Sequence, residues 1–545
     1  MSDDQLTAAE LHADGEVPTG LLEAFWAYER ALGTDDVAEL DRLFAAGPHT
    51  LRGDAAGLLV GHEQIAAFRS SRGGAPSRTV LEVHVRTITP DDALVVAVTA
   101  LSRGGRGRQT QLWHRGPEGW AVRAADVTVP APRTDARVWR VVGEPLVPGA
   151  RAEAHAQRGH GSEAGAPLPL AGETVAVKDL FAVAGQRVGA GNPAWLAGAP
   201  VETEHAWAVA ALVEAGADVV GIARTDELAY SLAGTNAHYG TPPNPAAPGR
   251  VPGGSTSGPA TAVSLGHATI ALGTDTGGSV RVPAAYQGLW GLRTTHDAVP
   301  RDGLVPLAPS FDTVGCLART ADVLARATHA LLPAAASVPD GATLVRDVVV
   351  LPSLVAHADA DVADAITALA ARQAWGTSDL LGDADLTAWR TAFQTLQAWE
   401  AWREHGVWLE KVGLDVLGPD VRGRFAHAAT VTDDAARSAR ETVTQVRDAV
   451  RAAVGDAIVA LPAASSVAPA LAAGGADAAA VDAARQRTME LTCVAGISGL
   501  PGLTVPLRTA AGVPCGVSLV AGPGRDADLL AVAVALASGP CSGGR

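Results

Sequence analysis

The feature that most constrains the fold is a change of hydrophobic pattern along the chain. From about residue 170, strand-like and helix-like segments alternate: ETVAVKDLF is followed by a helical stretch from His205 to Ala215 and then by ADVVGIART. Gly216 stands directly after the helical stretch, where a glycine commonly ends a helix. Such alternation is typical of α/β domains. Residues 170–540 are therefore predicted to form an α/β domain.

Residues 18–130 have a different pattern. The segment opens with apolar residues at steps of three and four, which indicates helices. These residues are Leu21, Leu22, Phe25, Leu32, Leu40, Leu43 and Phe44. The segments VLEVHVRTI, ALVVAVTAL, RQTQLWHR and WAVRAADVTV then alternate as strands do, with the turn clusters TPDD, SRGGRG and GPEG between them. We predict an α+β domain, helices followed by an antiparallel sheet, and a linker over the Pro- and Gly-rich residues 131–169.

The rest of the α/β domain is predicted to be rich in helices. Residues 357–490 favour helices, GLTVPL and CGVSLVAG favour strands, and a last helix is expected near residues 526–537.

Composition excludes several classes of partner. The net charge of -16 repels nucleic acid and anionic lipid surfaces. No segment approaches the roughly 20 apolar residues of a membrane span, so we expect a cytoplasmic protein with no membrane partner. Four cysteines without metal-finger spacing predict no disulfide framework and no metal site. They are Cys316, Cys493, Cys515 and Cys541.

The strongest sign of chemistry is a pair of glycine-serine loops within residues 251–295. PGGSTSG contains Ser255, and DTGGSVRVP contains Ser279. Glycine lets a substrate approach the backbone, and consecutive amides can stabilise the oxyanion of a tetrahedral intermediate. Neither loop has the phosphate-binding pattern GxxxxGK[ST], and the chain has no GxSxG nucleophile elbow. The loops predict a serine nucleophile, with simple turn formation as the alternative.

A serine nucleophile needs a base, and Lys178 is the candidate. It stands in the apolar strand TVAVKDLF, where burial would disfavour the charged amine and lower its pKa. The alternative is a lysine at a strand edge that reaches solvent.

These segments together resemble the amidase-signature family. VAVKD, PGGSTSG, DTGGSVRVP and the later GISGLPGLTVPL follow the family's order. The resemblance implies an α/β fold with a mixed central sheet surrounded by helices. It also implies amide or urea hydrolysis through an acyl-enzyme, with Ser279 as nucleophile, Ser255 as a bridging serine after a cis peptide bond, and Lys178 as base.

The resemblance also assigns supporting roles. It implies that the amides of Thr276, Gly277, Gly278 and Ser279 form the oxyanion hole and that Asp275 and Arg281 support the loop; an ordinary buried ion pair is the alternative for the last two. The sequence departs from many relatives at residues 256–259, Thr-Ser-Gly-Pro in place of Ser-Gly-Gly-Ser. GNPAW, AYSLAGTNAHYGTPPNP and PSFDTVG further resemble the plant-type indole-acetamide amidohydrolase branch.

The N-terminal segment resembles the AtzH-like family of the cone-shaped nuclear-transport-factor-2 fold. The similar segments are AFWAYERALGTDDVAELDRLF, TLRGD, GHEQIAAFR, GRQTQLWHR and GWAVRAADVTV. The resemblance implies that Tyr28 and Arg52 line a pocket suited to a carboxylate. Packing and a surface charge are the alternatives, and a buried guanidinium would need an anion partner. Asp126 stands where we expect histidine in relatives.

Together these features predict an amidohydrolase that acts on a small-molecule amide without metal or cofactor and assembles as a homo-oligomer. The N-terminal domain is expected to be an accessory module for dimerisation or substrate handling. The alternatives are a binding or scaffold protein with an inert amidase half, or a bifunctional enzyme whose N-terminal domain acts on a carboxylated urea.

Overall fold

The computed structural model describes residues 9–54, 57–72, 78–101, 106–128, 135–150, 168–332, 341–472, 475–476 and 478–538. The chain divides into two compact units, residues 1–132 and 133–545. Each unit has a core of its own, and each is described by itself.

The N-terminal unit is built on a seven-stranded sheet with the order β1-β4-β5-β6-β7-β2-β3. Its strands are β1 Glu10–Asp14, β2 Leu51–Asp54, β3 Gly57–Val60, β4 Arg78–Thr89, β5 Asp92–Leu101, β6 Arg106–Gly116 and β7 Gly119–Thr128. Its helices are α1 Leu21–Thr34, α2 Val37–Arg42 and α3 His62–Arg72. Strands β4 to β7 form an antiparallel meander, whereas β1 and β2 pair in parallel with β4 and β7.

The core of this unit follows from its two hydrophobic periods. Leu21, Phe25, Tyr28 and Ala31 lie on one face of α1 and are buried, as the helical spacing predicts. Alternate residues of the strands pack against them, with Trp113 among the largest fully buried side chains. The predicted helices and antiparallel sheet are therefore confirmed. The turn TPDD joins β4 to β5 and GPEG joins β6 to β7, while residues 102–105 of SRGGRG lie outside the described part.

The C-terminal unit contains an eleven-stranded mixed sheet with the order β15-β14-β16-β20-β19-β12-β13-β11-β9-β10-β8. Its strands are β8 Trp139–Val147, β9 Thr174–Lys178, β10 Asp218–Ala223, β11 Ile270–Asp275, β12 Trp290–Arg293, β13 Thr313–Ala318, β14 Val348–Val350, β15 Gly376–Thr377, β16 Ile458–Pro462, β19 Gly502–Arg508 and β20 Pro514–Val520. A separate two-stranded ribbon is formed by β17 Leu471–Ala472 and β18 Gly475–Ala476.

Helices cover this sheet. They are α4 Pro193–Gly198, α5 Trp207–Glu214, α6 Ser257–Ser264, α7 Arg281–Gln287, α8 Ala321–Leu331, α9 Gly341–Arg346, α10 Pro352–Val355, α11 Ala360–Gln373, α12 Leu386–Val412, α13 Pro419–Ala428, α14 Asp433–Val454, α15 Ala478–Ser498 and α16 Asp526–Ser538. The prediction of an α/β arrangement with a mixed sheet and a helical region after residue 357 is confirmed. None of the described helices combines the length and the apolar character that a membrane span requires.

Several strands of this unit differ from the sequence analysis, which predicted a linker at β8 and mostly helix at β15 to β18. The predicted linker 131–169 contains β8, which pairs antiparallel with β10 at the edge of the sheet. Pro145 is tolerated there because an edge strand can lack a backbone hydrogen-bond donor. The same proline argued against a strand in the sequence analysis. Residues 131–134 and 151–167 of the linker lie outside the described residues. Strand β16 likewise interrupts the region predicted as mostly helical.

Candidate active site

Strand β9 carries Lys178 into the middle of the sheet. The strand is buried at every residue and pairs in parallel with β10 on one side and β11 on the other. Lys178 is its last residue, and its side chain has an exposure of 0%. The alternative of a solvent-reaching lysine at a strand edge is therefore wrong. The run TVAVK is apolar apart from its ends because a strand with neighbours on both sides is covered on both faces.

The Lys178 amine ends among hydroxyl groups. Its Nζ donates to Ser255 Oγ at 2.8 Å, to Thr274 Oγ1 at 2.7 Å and to Thr256 Oγ1 at 3.3 Å. Ser255 lies just before α6, and the peptide bond between Gly254 and Ser255 is cis, as the resemblance predicts. The Ser255 loop and strand β11 therefore both supply hydroxyl groups to the lysine.

Ser279 lies on the loop between β11 and α7 and is 3% exposed. The backbone N–H of Thr256 donates to the carbonyl oxygen of Ser279 at 3.3 Å. This bond joins the two glycine-serine loops, so Ser279 lies beside the loop that contains Ser255. The apolar helix α6 and the buried strand β11 between them bring the two serines close in space.

The Asp275 carboxylate organises the Ser279 loop. It accepts hydrogen bonds from the backbone N–H groups of Gly278 at 2.9 Å and Val280 at 3.1 Å. It also accepts Arg281 Nη2 at 2.8 Å and Arg293 Nη1 at 3.1 Å, and all three side chains are buried. Burial alone would raise the pKa of Asp275, but the two guanidinium groups hold it well below its usual range. The predicted pair of Asp275 and Arg281 is therefore an ion pair that also shapes the loop.

One of the amides assigned to the oxyanion hole has another partner. The N–H of Gly278 donates to Asp275 Oδ1 at 2.9 Å, which corrects the expectation that all four amides face the substrate. Gly278 adopts a φ of 123°, a conformation open mainly to glycine, and the turn directs its N–H back to the start of the loop. Thr276, Gly277 and Ser279 remain the candidates for this role.

Sequence reasoning missed three charged residues of the site. Arg293 is fully buried beside Asp275, and burial lowers its pKa to about 10. Asp312 accepts the Thr276 hydroxyl at 2.6 Å, and Asp226 accepts the Ser257 hydroxyl at 2.8 Å. A signal for two of them was present, since Arg293 interrupts an apolar strand and Asp312 stands in the quoted segment PSFDTVG. Asp226 offered no comparable sign.

Electrostatics leave Lys178 only weakly basic. Burial lowers its pKa to about 7, although the negative charges of Asp226, Asp275 and Asp312 act to raise it. Burial also raises the pKa of Asp226, whereas Asp275 is already neutralised by its arginines. A neutral amine at pH values above 7 can accept a proton from a hydroxyl group that touches it.

Two neighbouring cavities give access to the Ser279 loop. A cavity of about 30 Å³ is bordered by Ser279, Thr276 and Gly277. A larger one of about 370 Å³ shares the walls Ser231, Arg424 and Arg485 with it. The larger volume is in the range of small-molecule sites, whereas the smaller one holds little more than water.

In the N-terminal unit, Tyr28 and Arg52 are both buried, at 3% and 6% exposure. Arg52 Nη1 donates to Asp54 Oδ2 at 2.8 Å, and its guanidinium lies 4.3 Å from the centre of the Phe68 ring. The anion partner expected for this guanidinium is thus present within the chain. Burial raises the pKa of Tyr28, while Arg78, Arg69 and Arg52 act to lower it.

The described residues offer one group of side chains close enough to share a metal ion, which is His12, Glu82 and His84 on β1 and β4. All three are partly exposed. Cys316, Cys493 and Cys515 are buried and unpaired, and Cys541 lies outside the described residues.

Comparison with known proteins finds relatives of both parts of the chain. The sequence profile of the amidase family matches residues 144–349, and that of the AtzH-like family matches residues 13–132. Amidase 1 of Arabidopsis thaliana is 35% identical over 408 residues, which is 69% of this chain and 95% of the plant protein. Amidase 1 of Oryza sativa subsp. japonica is 36% identical over 399 residues, 67% of this chain and 90% of its own. A solved amidase structure superposes with a TM-score of 0.62 at 27% identity, covering 74% of this chain and 92% of that one.

Proposed function

The chain belongs to the amidase family, and we propose that it cleaves the C–N bond of a small carboxamide or urea with Ser279, Ser255 and Lys178. Membership makes it a hydrolase that acts on C–N bonds. The observation that carries the residue roles is the contact of 2.8 Å between the buried Lys178 amine and the Ser255 hydroxyl. That contact gives a serine on one loop a base of suitable strength, next to the loop of a second serine.

The first step is a proton relay. Neutral Lys178 accepts the Ser255 proton as Ser255 accepts the proton of Ser279 Oγ, and Ser279 attacks the carbonyl carbon of the substrate. The pKa of Lys178 near 7 supports this role, since a base works best when its pKa is close to the working pH. Thr274 and Thr256 hold the amine in place through their hydroxyl groups.

The second step is collapse of the tetrahedral intermediate. The amides of Thr276, Gly277 and Ser279 face the developing oxyanion, and one such donor lowers the barrier by about 3 to 4 kcal/mol. The C–N bond breaks, and the leaving nitrogen takes the relayed proton and departs as ammonia or an amine. Water then attacks the acyl group on Ser279 by the same relay in reverse order and releases the carboxylic acid.

The test is hydrolysis of a panel of small amides and ureas by purified protein. Ser279→Ala should reduce kcat by about 10⁴-fold or more, because loss of the nucleophile removes the covalent route. Ser264→Ala, on the partly exposed end of α6, is the matched control and should keep full activity. Equal turnover by wild type and Ser279→Ala would overturn the assignment, and an inactive wild type would favour a binding or scaffold role.

We further propose that the AtzH-like unit has the cone shape of the nuclear-transport-factor-2 fold and serves as a dimerisation or substrate-handling module in a homo-oligomer. The packing of α1 against one face of the antiparallel sheet supports the shape. The ion pair of Arg52 with Asp54 supports a structural role for Arg52 over a catalytic one. If the unit were a second enzyme for a carboxylated urea, Tyr28→Phe and Arg52→Ala would remove an activity that Ser279→Ala leaves intact.

A further inference from the structure

We propose that the substrate carries a carboxylate, which Arg424 of α13 and Arg485 of α15 bind beside Ser279. This inference rests on the proposed function, because it names the class of amide that the same site accepts. The reaction would convert an amide of a dicarboxylic acid and water into the dicarboxylate and ammonium.

The charges on the wall of the small cavity carry the inference. Apart from Arg424 and Arg485, the residues around it are apolar or neutral, among them Leu307 and Met489. Both guanidinium groups also border the larger cavity, so they lie where the two spaces meet. The larger cavity is also lined by the carboxylates of Glu227, Asp420 and Asp482, whereas the charged residues that line the small cavity beside Ser279 are the two arginines.

The acidic partners of these arginines line the larger cavity but not the small cavity beside Ser279. Arg424 pairs with Asp420 at 2.7 Å and Arg485 with Asp482 at 2.5 Å, each within its own helix. The arginine side chains are only 17% and 15% exposed, whereas the aspartates are 62% and 54% exposed. Water screens the aspartates, so they neutralise the inner ends of the cations poorly.

The two cations also repel each other. Burial lowers the pKa of Arg424, and the charge of Arg485 lowers it further. Two like charges in a partly desolvated cavity are costly, and an anion that contacts both would relieve the repulsion. The helices come from distant parts of the chain, so the pairing of these arginines is a product of the fold at this site.

Arg485 has donor capacity that a carboxylate can use. Its Nη1 lies 3.5 Å from the Sδ of Met489, and a thioether is a weak acceptor. Arg424 directs Nη1 to the carbonyl oxygen of Tyr230 and Nη2 to Asp420. A carboxylate oxygen in place of the sulfur would form a charge-assisted hydrogen bond of about twice the usual strength.

The kinetic test compares matched substrates in the full-length protein. Malonamate, succinamate and glutaramate are compared with neutral amides in which an isopropyl group replaces the carboxylate, such as 4-methylpentanamide for succinamate. At least one acidic amide should have a kcat/KM about 30-fold or more above its neutral partner, as expected for a desolvated charge contact.

Variants assign the effect to the arginines. Arg485→Met and Arg424→Met should each lower kcat/KM for the acidic amide by about 30-fold more than kcat/KM for the neutral amide, and the remaining turnover of the neutral amide shows that the protein is folded. Arg422→Met removes an exposed arginine from the same helix and should change neither activity. Equal losses for acidic and neutral amides, or no preference in wild type, would overturn the proposal.

Binding separates this inference from the proposed function. In calorimetry, Ser279→Ala should bind succinamate or a homologue and lose that binding when Arg485→Met is added. If wild type cleaves neutral amides without favouring acidic ones, the carboxylate site is wrong and the amidase assignment stands. If the acidic amide binds through Arg485 but Ser279→Ala still cleaves it, the serine assignment is wrong and the carboxylate site stands.

Discussion

Lys178 shows how burial of a single residue can set the chemistry of a site. The chain contains two lysines, and the other, Lys411, is exposed near the end of α12. The buried Lys178 contacts serine and threonine hydroxyl groups, and burial lowers its pKa to about 7. A lysine amine with its ordinary pKa of about 10 would be protonated at neutral pH and unable to act as a base.

We expect the acylation rate to follow the protonation of Lys178. Between about pH 5 and 7 the rate should rise close to tenfold per pH unit and then level above about pH 8, because the neutral amine is the active form and its fraction rises with pH. Lys178→Ala should lower the acylation rate by at least about 100-fold and remove its dependence on pH. Lys411→Ala is the matched control, and a flat wild-type profile in single-turnover measurements would contradict the role of Lys178.

Residues within a local motif were predictable, and residues that reach the site from elsewhere were not. Lys178, Ser255, Asp275 and Ser279 stand in segments that show their character by composition and order. Thr274 also contacts the amine, but nothing in the sequence distinguishes its hydroxyl from that of another strand threonine. The Gly278 amide was assigned wrongly because its direction depends on a backbone turn that residue types do not reveal.

At the scale of elements, the site depends on close contact between β11 and the Ser255 loop. Gly273 of β11 faces Thr256, and a Cβ atom there would lie 2.4 Å from Thr256 Cγ2. Thr256 is buried and β-branched, so it cannot turn aside easily. Glycine at this position is therefore required for the loop to reach Lys178.

Gly273→Ala should separate the two loops and reduce kcat. We expect a loss of about 10- to 100-fold, since a displacement of about 1 Å in a catalytic group has effects of that size. Gly198→Ala is the control, because a Cβ at the end of α4 meets no atom within 4 Å. Steady-state kinetics with a thermal unfolding curve for each variant would decide, and full activity of a folded Gly273→Ala protein would contradict this packing.

Long elements with a regular period were predicted well from the sequence. The four strands of the N-terminal meander and the helices after residue 357 have enough periodic residues to be recognised. Strands β2, β3 and β8 were missed because they are short or contain glycine and proline. They are strands because neighbouring strands supply their hydrogen-bond partners, which a local pattern cannot show.

For the whole molecule, the edges of the N-terminal sheet support the proposed homo-oligomer. The edge strand β3 exposes Leu58 at 62% and Val60 at 46%. An edge strand with exposed apolar side chains is a ready surface for association with another chain.

Leu58→Asp should therefore shift the full-length protein to a smaller assembly. In a contact made by β3, the added carboxylate would have to be buried without a partner, which disfavours association. Amide hydrolysis by the C-terminal unit should persist. Val407→Asp is the matched control, since Val407 is 81% exposed on α12 of the C-terminal unit. Light scattering after size exclusion gives the mass of each variant, and an unchanged assembly for Leu58→Asp would argue against association through β3.

We propose that Ser279 forms an acyl-enzyme with Lys178 as base, and mass spectrometry can detect that covalent intermediate. The protein is quenched with acid during turnover of a small amide and digested with trypsin, which releases residues 251–281 with both Ser255 and Ser279 on one peptide. We expect a peptide heavier by the acyl group, fragment ions that place this group on Ser279, and no adduct in Lys178→Ala at the same time point. An acyl group on Ser255, or turnover without any adduct on this peptide under conditions where deacylation is slow, would contradict it.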